Sequence, residues 1–599
     1  MTTLHKIQEL IQGALVQSEL WDELKNAGME NFHATVEYPR DPEHGDYATN
    51  VAMQLAKPLK KNPREVASIV VDAIMQVEGV ENVIEGTPEI AGPGFINIRV
   101  HTNVLTEAIE NSIAQGEKFG HSDHLKGQKI AVEFATPNTH KAAHIGHLRN
   151  ICLGESIVRF LESQGAEVFR ANYQGDVGPH VAKCLWGMMN APEGTQRITT
   201  AEQAEEFECT HLSTPEAKVD TLGKYYAIGG TAYAKDKDGS MGIQSAVKEI
   251  NKRIYQKDPS IFPLWEVTRR WSLEYFDHLY KRLYTHFDRL FFESEMYERG
   301  IEIVKAHLGK VFEESDGAIV FKGEEYGLHT RVFVTGEGNA TYEGKDIANA
   351  ATQYEEFNFD RMIHVVGNEQ AGYFKVLIKA IELVHPHQTG KQYHLSYGMV
   401  NLSTGKMSSR TGDIVTARSL IEDAKTNVFQ IFEESNSEFT TEEKHDIAEK
   451  VALGAVKFTM LHADSKRDIA FDMEQSLRLT GDSGPYIQYG YTRIVSILEK
   501  VEDSTAPDYT RFNEMDWKLA KQLLRFEEEV TKSADELTTH NTAHYLVGVV
   551  SEFSRWYEHN RVAESEPGLR AARLELLKAV RNVIANGLNL LGIKTVEKM

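Results

Sequence analysis

The chain has 599 residues, 41% of them hydrophobic, and a formal net charge of −23 at pH 7. This length suffices for about four domains of about 150 residues, and no apolar run approaches the ~20 residues that a membrane-spanning helix needs. Cys152, Cys184 and Cys209 lie far apart without Cys-x-x-Cys spacing, and the first residues show no signal-peptide pattern, so we expect a cytoplasmic protein without a membrane segment or a zinc ribbon.

The first predicted unit spans residues 1–120 and is a small α/β module. Apolar residues at helical spacing predict a helix near its start, and residues 46–56 predict a second helix with Asp46 as its N-cap. Gly92-Pro-Gly94 predicts a turn into a strand over 95–100. This unit holds 9 Lys and Arg against 18 Asp and Glu, yet four basic residues fall within eight positions: Lys57, Lys60, Lys61 and Arg64.

These four residues, the basic cluster, have two interpretations. A charge run is most often the solvated end of a helix. In an otherwise acidic unit it is also a candidate RNA-facing patch, because nucleic-acid binding needs a local basic surface rather than a positive net charge.

A strand, a loop, a helix and a second strand are predicted next. Residues 129–134 predict a buried strand, and Pro137 and Asn138 end it because Pro lacks the ladder donor and Asn favours turns. Apolar residues at helical spacing predict a helix over 148–161, and residues 166–171 predict the next strand. This order is typical of the opening unit of a nucleotide-binding parallel sheet.

The sequence His144-Ile-Gly-His147 falls where this helix begins, at the positive end of its dipole. That end attracts phosphates, the imidazoles add donors for charge that develops during nucleotidyl transfer, and Gly146 lets a flat base approach the backbone. The rival interpretation is a metal site on His140, His144 and His147, although the Glu of a His-Glu-x-x-His site is missing. From these residues alone, two histidines that cap a helix are the simplest interpretation.

A glycine-rich bend with Gly175 and Asp176 follows the second strand, at the sheet edge where such folds bind ligands. We interpret residues 191–335 as an insertion that splits the sheet. It contains a hairpin with strands over 318–321 and 331–334. It also contains a helix whose apolar face we expect in the core, made of Trp271, Tyr275, Leu279 and Leu283.

The sheet is predicted to resume near Tyr342, with strands over 362–366 and 394–402, and to end in a loop over 403–412. The loop carries side chains suited to gripping a triphosphate: Lys406, Ser408, Ser409 and Arg410. Taken alone, it is equally compatible with an ordinary basic surface loop.

The last unit, residues 425–599, has helical periodicity almost throughout. Tyr486, Tyr489 and Arg493 share a helical face, and Trp556 lies in a second aromatic and basic segment. Each set is most often core with a charged rim, but in an RNA-binding bundle the same residues stack on bases or clamp them.

The two motifs are far more specific together than apart. The His-Ile-Gly-His turn after one strand and the Lys406-Met-Ser-Ser loop after a late strand resemble the two signatures of class I aminoacyl-tRNA synthetases. The surrounding residues narrow this resemblance to the arginyl-tRNA synthetases, over essentially the whole chain. It implies a ligase that uses ATP with Mg²⁺ to form arginyl-adenylate and transfers arginine to tRNA(Arg), as a cytoplasmic monomer without zinc or an organic cofactor.

The implied fold class is α/β, with a Rossmann-type parallel-sheet catalytic domain and an insertion. A small N-terminal α/β module contacts tRNA, and an all-α C-terminal helical domain binds the anticodon. The expected limits are 1–120 for the module, 121–190 and 336–424 for the catalytic halves, 191–335 for the insertion and 425–599 for the helical domain. The tRNA contacts then fall on the basic cluster and on Tyr486, Arg493 and Trp556.

Arginine recognition requires acceptors, because a guanidinium group has five N–H donors and pairs bidentately with a carboxylate. The resemblance assigns arginine binding to Glu133, Asn138, Tyr342, Asp346 and Gln370. We assign ATP binding to Gly146, Gly175, Asp176, Lys406, Ser408 and Ser409. The expected catalytic residues are Lys141, His144, His147, Lys406 and Arg410, and Pro137, Asn138 and Ile145 complete the first signature.

The second signature departs from the family pattern at one position. The family loop is Lys-Met-Ser-Lys-Ser, and here Ser409 replaces its second lysine, with Arg410 one step further. A cation is still needed against the negative charge that develops on the transferring phosphate. The resemblance favours Lys141, three residues before His144, and Arg410 is the alternative.

Two other functions fit part of the pattern. A nucleotidyltransferase for a small acid shares the His-Ile-Gly-His turn but leaves the helical domain without a role. A metal-dependent hydrolase on the three histidines requires bound zinc. Charging total tRNA with each labelled amino acid in turn separates these possibilities.

Overall fold

The computed structural model describes residues 2–39, 41–403, 415–434 and 439–599. Three parts follow one another along the chain: a small N-terminal module, a parallel sheet with its insertion, and a bundle of helices. The predicted residues Lys406, Ser408, Ser409 and Arg410 of the second signature lie outside the described residues.

The N-terminal module is a three-stranded antiparallel sheet with five helices. Helix α1 buries Ile7, Ile11 and Leu15 through their helical spacing, as the sequence predicted. The elements are α1 (Thr3–Gln17), α2 (Leu20–Asn26), β1 (Tyr47–Thr49), α3 (Val51–Leu59), α4 (Pro63–Ile74), β2 (Glu89–Ala91), β3 (Phe95–Ile98) and α5 (Thr102–Gln115).

The helix predicted over 46–56 is wrong in its first half. Residues 47–49 form β1, because pairing with β3 buries all three of them, and α3 begins only at Val51. Asp46 therefore caps no helix. Its carboxylate accepts the Val100 N–H and forms an ion pair with Lys521 of the C-terminal helices.

The central sheet has five parallel strands in the order β11-β10-β4-β5-β6. Its first strand, β4, is central, so the strand order reverses between β4 and β10 and leaves a crevice at the carboxyl edge. The elements are β4 (Lys129–Glu133), α6 (Ile145–Ser163), β5 (Glu167–Gln174), α7 (Pro179–Met189), α8 (Ala201–His211), α9 (Pro215–Lys235), α10 (Ile243–Tyr255), α11 (Phe262–Arg282), β6 (Arg289–Phe292), α12 (Glu293–Ala306), β7 (Glu313–Ser315), β8 (Ala318–Phe321), β9 (Arg331–Val334), α13 (Tyr342–Phe357), β10 (Arg361–Gly367), α14 (Ala371–Val384), β11 (Gln392–Tyr397) and β12 (Val400–Leu402).

Helices α8 to α11 of the insertion share a separate hydrophobic core with α7, the helix that precedes the insertion. The apolar face of α11 is buried as expected, at Trp271, Tyr275, Leu279 and Leu283. The predicted hairpin is confirmed, since β8 and β9 pair in antiparallel fashion, and β7 adds a third strand.

Two expectations about the central sheet are wrong. The sheet resumes at β6, inside the segment assigned to the insertion, because β6 pairs in parallel with β5. The strand predicted over 394–402 is two strands in different sheets, β11 and β12, separated at Gly398. A Cβ at Gly398 would lie 2.5 Å from the Arg467 carbonyl, so the strand is interrupted where another segment crosses it closely.

The C-terminal part consists of helices apart from one short strand that pairs with β12. It holds the N-terminal module through Glu528, whose carboxylate accepts hydrogen bonds from Leu4 N–H and the Tyr38 and Tyr47 hydroxyls. Across the described ranges, no helix is long and apolar enough to cross a membrane. The elements are α15 (Ala417–Glu434), α16 (Thr441–Leu461), β13 (Ile469–Phe471), α17 (Met473–Ser476), α18 (Gly484–Lys500), α19 (Glu514–Glu536), α20 (His540–His559) and α21 (Leu569–Leu590).

Candidate active site

The first signature forms the N-terminus of α6, where its two histidines cap the helix reciprocally. His144 Nδ1 accepts the Gly146 N–H at 3.1 Å, and His147 Nδ1 accepts the His144 N–H at 3.2 Å. Since each Nδ1 is an acceptor, the proton of each neutral ring sits on Nε2. The His144 ring lies over the start of the helix, close to Gly146. A Cβ at Gly146 would lie 2.9 Å from His144 Cε1, so this position of the ring requires glycine there.

Both rings are neutral at pH 7. Burial, followed by the charges of His144 and Lys141, lowers the pKa of His147 to about 3. Burial and Lys141 also lower the pKa of His144. The capping interpretation and the catalytic interpretation are therefore compatible: Nδ1 of each ring caps the helix, and Nε2–H remains as a donor for a ligand.

His140 does not join these two rings. It is fully buried with a positive φ of 62°, its Nε2 lies 2.9 Å from the Thr268 hydroxyl and its Nδ1 lies 2.9 Å from the Thr139 hydroxyl. Within the described part of the chain, no group of three His, Cys, Asp or Glu side chains is arranged to hold a metal ion. The three-histidine metal site therefore has no geometric basis.

A cavity of about 340 Å³ opens at the crevice where the strand order reverses. Its wall combines the loop after β4 with the start of α6, the segment after β10, and the break between β11 and β12. The predicted residues that line it are Asn138, His144, Ile145, Gly146, His147 and Gln370. The structure thus brings together residues that lie up to 232 positions apart in the sequence.

Two residues that no sequence motif marks, Asn150 and Arg149, connect the segments that line this cavity. Asn150 accepts the Ala135 N–H at 2.5 Å and donates to the Val365 carbonyl at 2.7 Å, which joins the loop after β4 to strand β10. The buried Arg149 donates to four backbone carbonyl groups, those of Gly398, Met399, Ser465 and Arg467. The sequence contains one signal for them. They are two adjacent polar residues on a helix that is otherwise largely buried, where polar groups need hydrogen-bond partners.

Three carboxylates, Glu133, Glu293 and Asp346, form an acidic cluster in the catalytic sheet and its helices. Glu133 ends β4 and is buried, where it accepts hydrogen bonds from Asn349 at 3.0 Å and Gln353 at 2.6 Å. Its other oxygen lies 2.9 Å from His364 Nδ1. Burial opposes ionisation of Glu133, but His364 and the two amides outweigh it and hold its pKa below the usual range.

Asp346 carries the least compensated charge of the acidic cluster. Burial raises its pKa to about 7, with Glu133 and Glu293 adding to the shift, while Tyr373 and Lys345 oppose it. The Tyr373 hydroxyl donates to Asp346 at 2.5 Å, whereas Lys345 forms its ion pair with Glu293. The exposed ring of Tyr342 lies one helical turn away, 4.7 Å from Lys345 Nζ.

Gly175 and Asp176, both predicted to bind ATP, do not line the cavity of the first signature. A Cβ at Gly175 would lie 2.2 Å from Asn138 Oδ1, so this glycine lets the loop after β4 approach β5. Asp176 is fully buried and accepts hydrogen bonds from Ser294 N–H at 2.9 Å and Arg269 Nε at 2.8 Å. Its carboxylate holds the insertion and α12 to the sheet instead of facing the cavity.

Lys141 lies beside the histidine pair. Its ammonium group sits 4.7 Å from the centre of the Tyr226 ring on α9. Its charge is among the causes that lower the pKa values of His144, His147 and His180, so the cation is within electrostatic reach of the first signature.

The basic cluster runs from the last turn of α3 to the first turn of α4, and its members differ in their surroundings. Lys57, Lys60 and Arg64 are exposed, and Lys61 is half-buried. Lys61 forms an ion pair with Glu23 at 2.7 Å, and Arg64 donates to the Gly92 carbonyl at 2.6 Å.

The aromatic and basic residues of the C-terminal helices divide into surface and core. The Arg493 guanidinium carbon lies 4.4 Å from the Tyr557 ring centre and 6.0 Å from that of Tyr489, and Tyr486 on the same helix is half-buried. Trp556, predicted as a tRNA contact, is fully buried, and its Nε1–H donates to Asp516 at 2.8 Å. That prediction is wrong because the indole fills the core and Tyr557 takes the surface position beside it.

Three family models match the chain. The model for the catalytic domain of class I tRNA synthetases (R) matches residues 108–473, that for the DALR anticodon binding domain matches 487–599, and that for the arginyl tRNA synthetase N terminal domain matches 5–100. The arginine–tRNA ligase of Treponema pallidum is 30% identical over 584 residues, with 95% of this chain and 96% of that protein covered. The arginine–tRNA ligase of Clostridium perfringens is 31% identical over 586 residues, with 95% and 97% covered.

Two solved structures match over the whole chain. Thermus thermophilus arginyl-tRNA synthetase is 26% identical with a TM-score of 0.79, and all of both chains is covered. Plasmodium falciparum arginyl-tRNA synthetase has the same fold, with 19% identity, a TM-score of 0.76, and 100% of this chain and 99% of that one covered.

Proposed function

The chain belongs to the arginyl-tRNA synthetase family, and from this premise we propose which of its residues carry out the reaction. The enzyme activates arginine with ATP and transfers the arginine to tRNA for translation. An oxygen of the arginine carboxylate attacks the α-phosphorus of ATP, and pyrophosphate leaves. The terminal ribose hydroxyl of tRNA then attacks the carbonyl carbon of the adenylate, loses its proton and displaces AMP. Little covalent protein chemistry is needed, so positioning and charge stabilisation do most of the catalysis.

Arginine binds, in this proposal, with its guanidinium group at the acidic cluster. The supporting observation is the half-buried Asp346, which has no ion-pair partner among the described residues while two further carboxylates lie nearby. A guanidinium group supplies the missing cation together with donors that match carboxylate oxygens. Glu133, Tyr342 and Asp346 then bind this end, and Asn138 and Gln370 bind the α-amino and carboxylate end beside the cavity.

ATP occupies the cavity at the first signature, with the Nε2–H groups of His144 and His147 as donors to its phosphates. Lys141 supplies the cation, and Lys406, Ser408, Ser409 and Arg410 contact the triphosphate from the second signature. ATP enters as its Mg²⁺ complex. Mg²⁺ commonly keeps several waters and takes substrate phosphates as ligands.

Charging assays test this function directly. Total tRNA is incubated with the enzyme, ATP and one labelled amino acid at a time. We expect arginine alone to be transferred, and transfer of another amino acid in its place would contradict the function.

We further expect the first half-reaction to depend on tRNA, as the resemblance to arginyl-tRNA synthetases implies. Exchange of labelled pyrophosphate into ATP should be near zero with arginine alone and should appear when tRNA is added. Periodate-oxidised tRNA, which cannot be charged, is the matched control and should still support exchange. Strong exchange without any tRNA would contradict this expectation.

Transfer RNA contacts two surfaces in this proposal. The basic cluster faces its body, and Tyr486, Arg493 and the neighbouring Tyr489 and Tyr557 face the anticodon. The Arg493 guanidinium group over the Tyr557 and Tyr489 rings supports the second surface, because cation–π and stacking contacts of this kind are the ones that hold unpaired bases.

Neutralising the basic cluster should weaken tRNA binding at low salt and leave the KM values of arginine and ATP unchanged. Each lost phosphate contact lowers the slope of log affinity against log salt by up to about 0.9. Lys57 and Lys60 should account for more of the slope than Lys61 and Arg64, which already have protein partners. Two double alanine variants separate the pairs. An unchanged slope in the fourfold variant would identify the cluster as a solvated surface.

For the domain limits we propose 1–120 for the N-terminal module, 425–599 for the helical domain, and 121–424 for the catalytic domain. The insertion, drawn over 191–335 from the sequence, is better ended before β6 at residue 288. We also propose a cytoplasmic monomer, which sedimentation of the purified enzyme tests.

A further inference from the structure

The tyrosine at position 173 is the least explained polar group near the acidic cluster. Its hydroxyl is buried and, within the described ranges, has no hydrogen-bond partner. A buried polar atom left unpaired is unfavourable, so such atoms usually mark a ligand or a bound water.

The side chain lies on the face of the sheet that carries the acidic cluster. Tyr173 precedes the carboxyl end of β5, and its ring packs against Phe291, Met296 and Ala348. Its neighbour Asn172 points to the opposite face, as strand alternation requires, and donates to Tyr280 of α11. Burial raises the pKa of Tyr173, and Asp346, Glu293 and Glu133 raise it further, so the hydroxyl is within electrostatic reach of all three carboxylates.

The groups around this hydroxyl are mostly acceptors. Asn349 Oδ1 is buried and, in the described chain, also unpaired, while its Nδ2 already donates to Glu133. Lys345 already forms an ion pair with Glu293, and the Tyr373 hydroxyl already donates to Asp346. Among the described residues, Asp346 therefore has no cation of its own, and the Tyr173 and Asn349 oxygens have no donor. A guanidinium group provides a positive charge and donors in one rigid plane.

We propose that the Tyr173 hydroxyl oxygen binds the guanidinium group of the substrate arginine by accepting one of its N–H groups. Asn349 Oδ1 accepts a second N–H beside it. This inference rests on the guanidinium site proposed above and adds two specificity residues that no motif marks. A lysine side chain carries all three of its donors on one nitrogen atom, so it cannot reach Tyr173, Asn349 and Asp346 together. The added acceptors therefore favour arginine over lysine.

The test is Tyr173→Phe, which keeps the ring and its packing and removes only the hydroxyl. We expect the arginine KM to rise about 10- to 100-fold, as for loss of a hydrogen bond to a charged group, with the ATP KM and the kcat nearly unchanged. The Tm without arginine should stay equal or rise, because an unpaired buried hydroxyl is removed. The increase in Tm on adding arginine should shrink.

Two parallel variants make the result decisive. Tyr354→Phe removes a hydroxyl that accepts a hydrogen bond from Lys391 at the other end of α13, and it should leave the arginine KM unchanged. Asp346→Asn reports on the guanidinium site itself. If Asp346→Asn raises the arginine KM and Tyr173→Phe does not, this inference alone fails; if neither does, the proposed site fails. A lower Tm for Tyr173→Phe, with the KM values of arginine and ATP raised alike, would show a structural role and overturn the inference.

Discussion

Asp346→Asn is expected to raise the KM for arginine by orders of magnitude while the KM for ATP barely changes. The variant removes the charge that pairs with the guanidinium group but keeps the shape of the side chain and its hydrogen bond with Tyr373. Leaving a charged donor group without its partner in a closed site costs roughly 2–5 kcal/mol. Steady-state charging kinetics measure both constants.

A matched variant lies on the same helix. Glu355→Gln removes an exposed carboxylate that pairs with Arg299 at the other end of α13, and it should leave both KM values near wild type. If Asp346→Asn also leaves the arginine KM unchanged, Asp346 does not belong to the arginine site.

The pH dependence of the arginine KM gives a second measure of the same contact. Burial raises the pKa of Asp346 to about 7 in the free enzyme, with Glu133 and Glu293 adding to the shift against Tyr373 and Lys345. Below this pKa the carboxyl is protonated and cannot pair with guanidinium, so the wild-type KM should rise as the pH falls through about 7. In Asp346→Asn this rise should be absent, because the amide does not titrate.

The elements that sequence predicted well are those that local periodicity specifies. The apolar face of α11 and the β8–β9 hairpin depend on neighbours within one helix or across one turn, and both are confirmed. The four-residue strand β6 carries no such periodicity, since its sequence Arg289-Leu-Phe-Phe292 also fits the end of a helical insertion. Only its parallel pairing with β5 identifies it.

The candidate site likewise combines residues that a local motif predicts with residues that only the fold brings together. The two histidines and Asn138 were found because they form one short motif, and the cavity lies around them. The partners of Glu133 could not be found in this way, since His364 is 231 residues away and meets it only after β4 and β10 pair. The sequence predicts Trp556 at the surface because helical spacing does not show whether an aromatic residue faces the core or the solvent. The packing of Trp556 against α19 and α21 determines that its ring is the buried one.

Lys141→Ala is expected to lower kcat by about 10²–10³-fold, the size of the loss of one preorganised electrostatic contact. In the family loop the second lysine neutralises the transferring phosphate, and Ser409 cannot do so. The Lys141 ammonium lies within electrostatic reach of His144 and His147, and Tyr226 holds it at 4.7 Å from its ring. The contact strengthens mainly in the transition state, where the α-phosphate gains negative charge, so the ATP KM should change much less.

Two further variants test this assignment. One is a control at a second lysine that also lies over a tyrosine ring, and the other adds a substitution that compensates for the loss of Lys141. Lys183 sits 4.1 Å from the Tyr233 ring on the same helix α9, and Lys183→Ala should retain most of the kcat. Adding Ser409→Lys to Lys141→Ala restores a lysine at the family position and should recover part of the lost rate, because either cation can face the same phosphate. Should Lys141→Ala behave like wild type while Arg410→Ala loses its activity, Arg410 is the cation that replaces the missing lysine, and Lys141 is a residue of the loop surface.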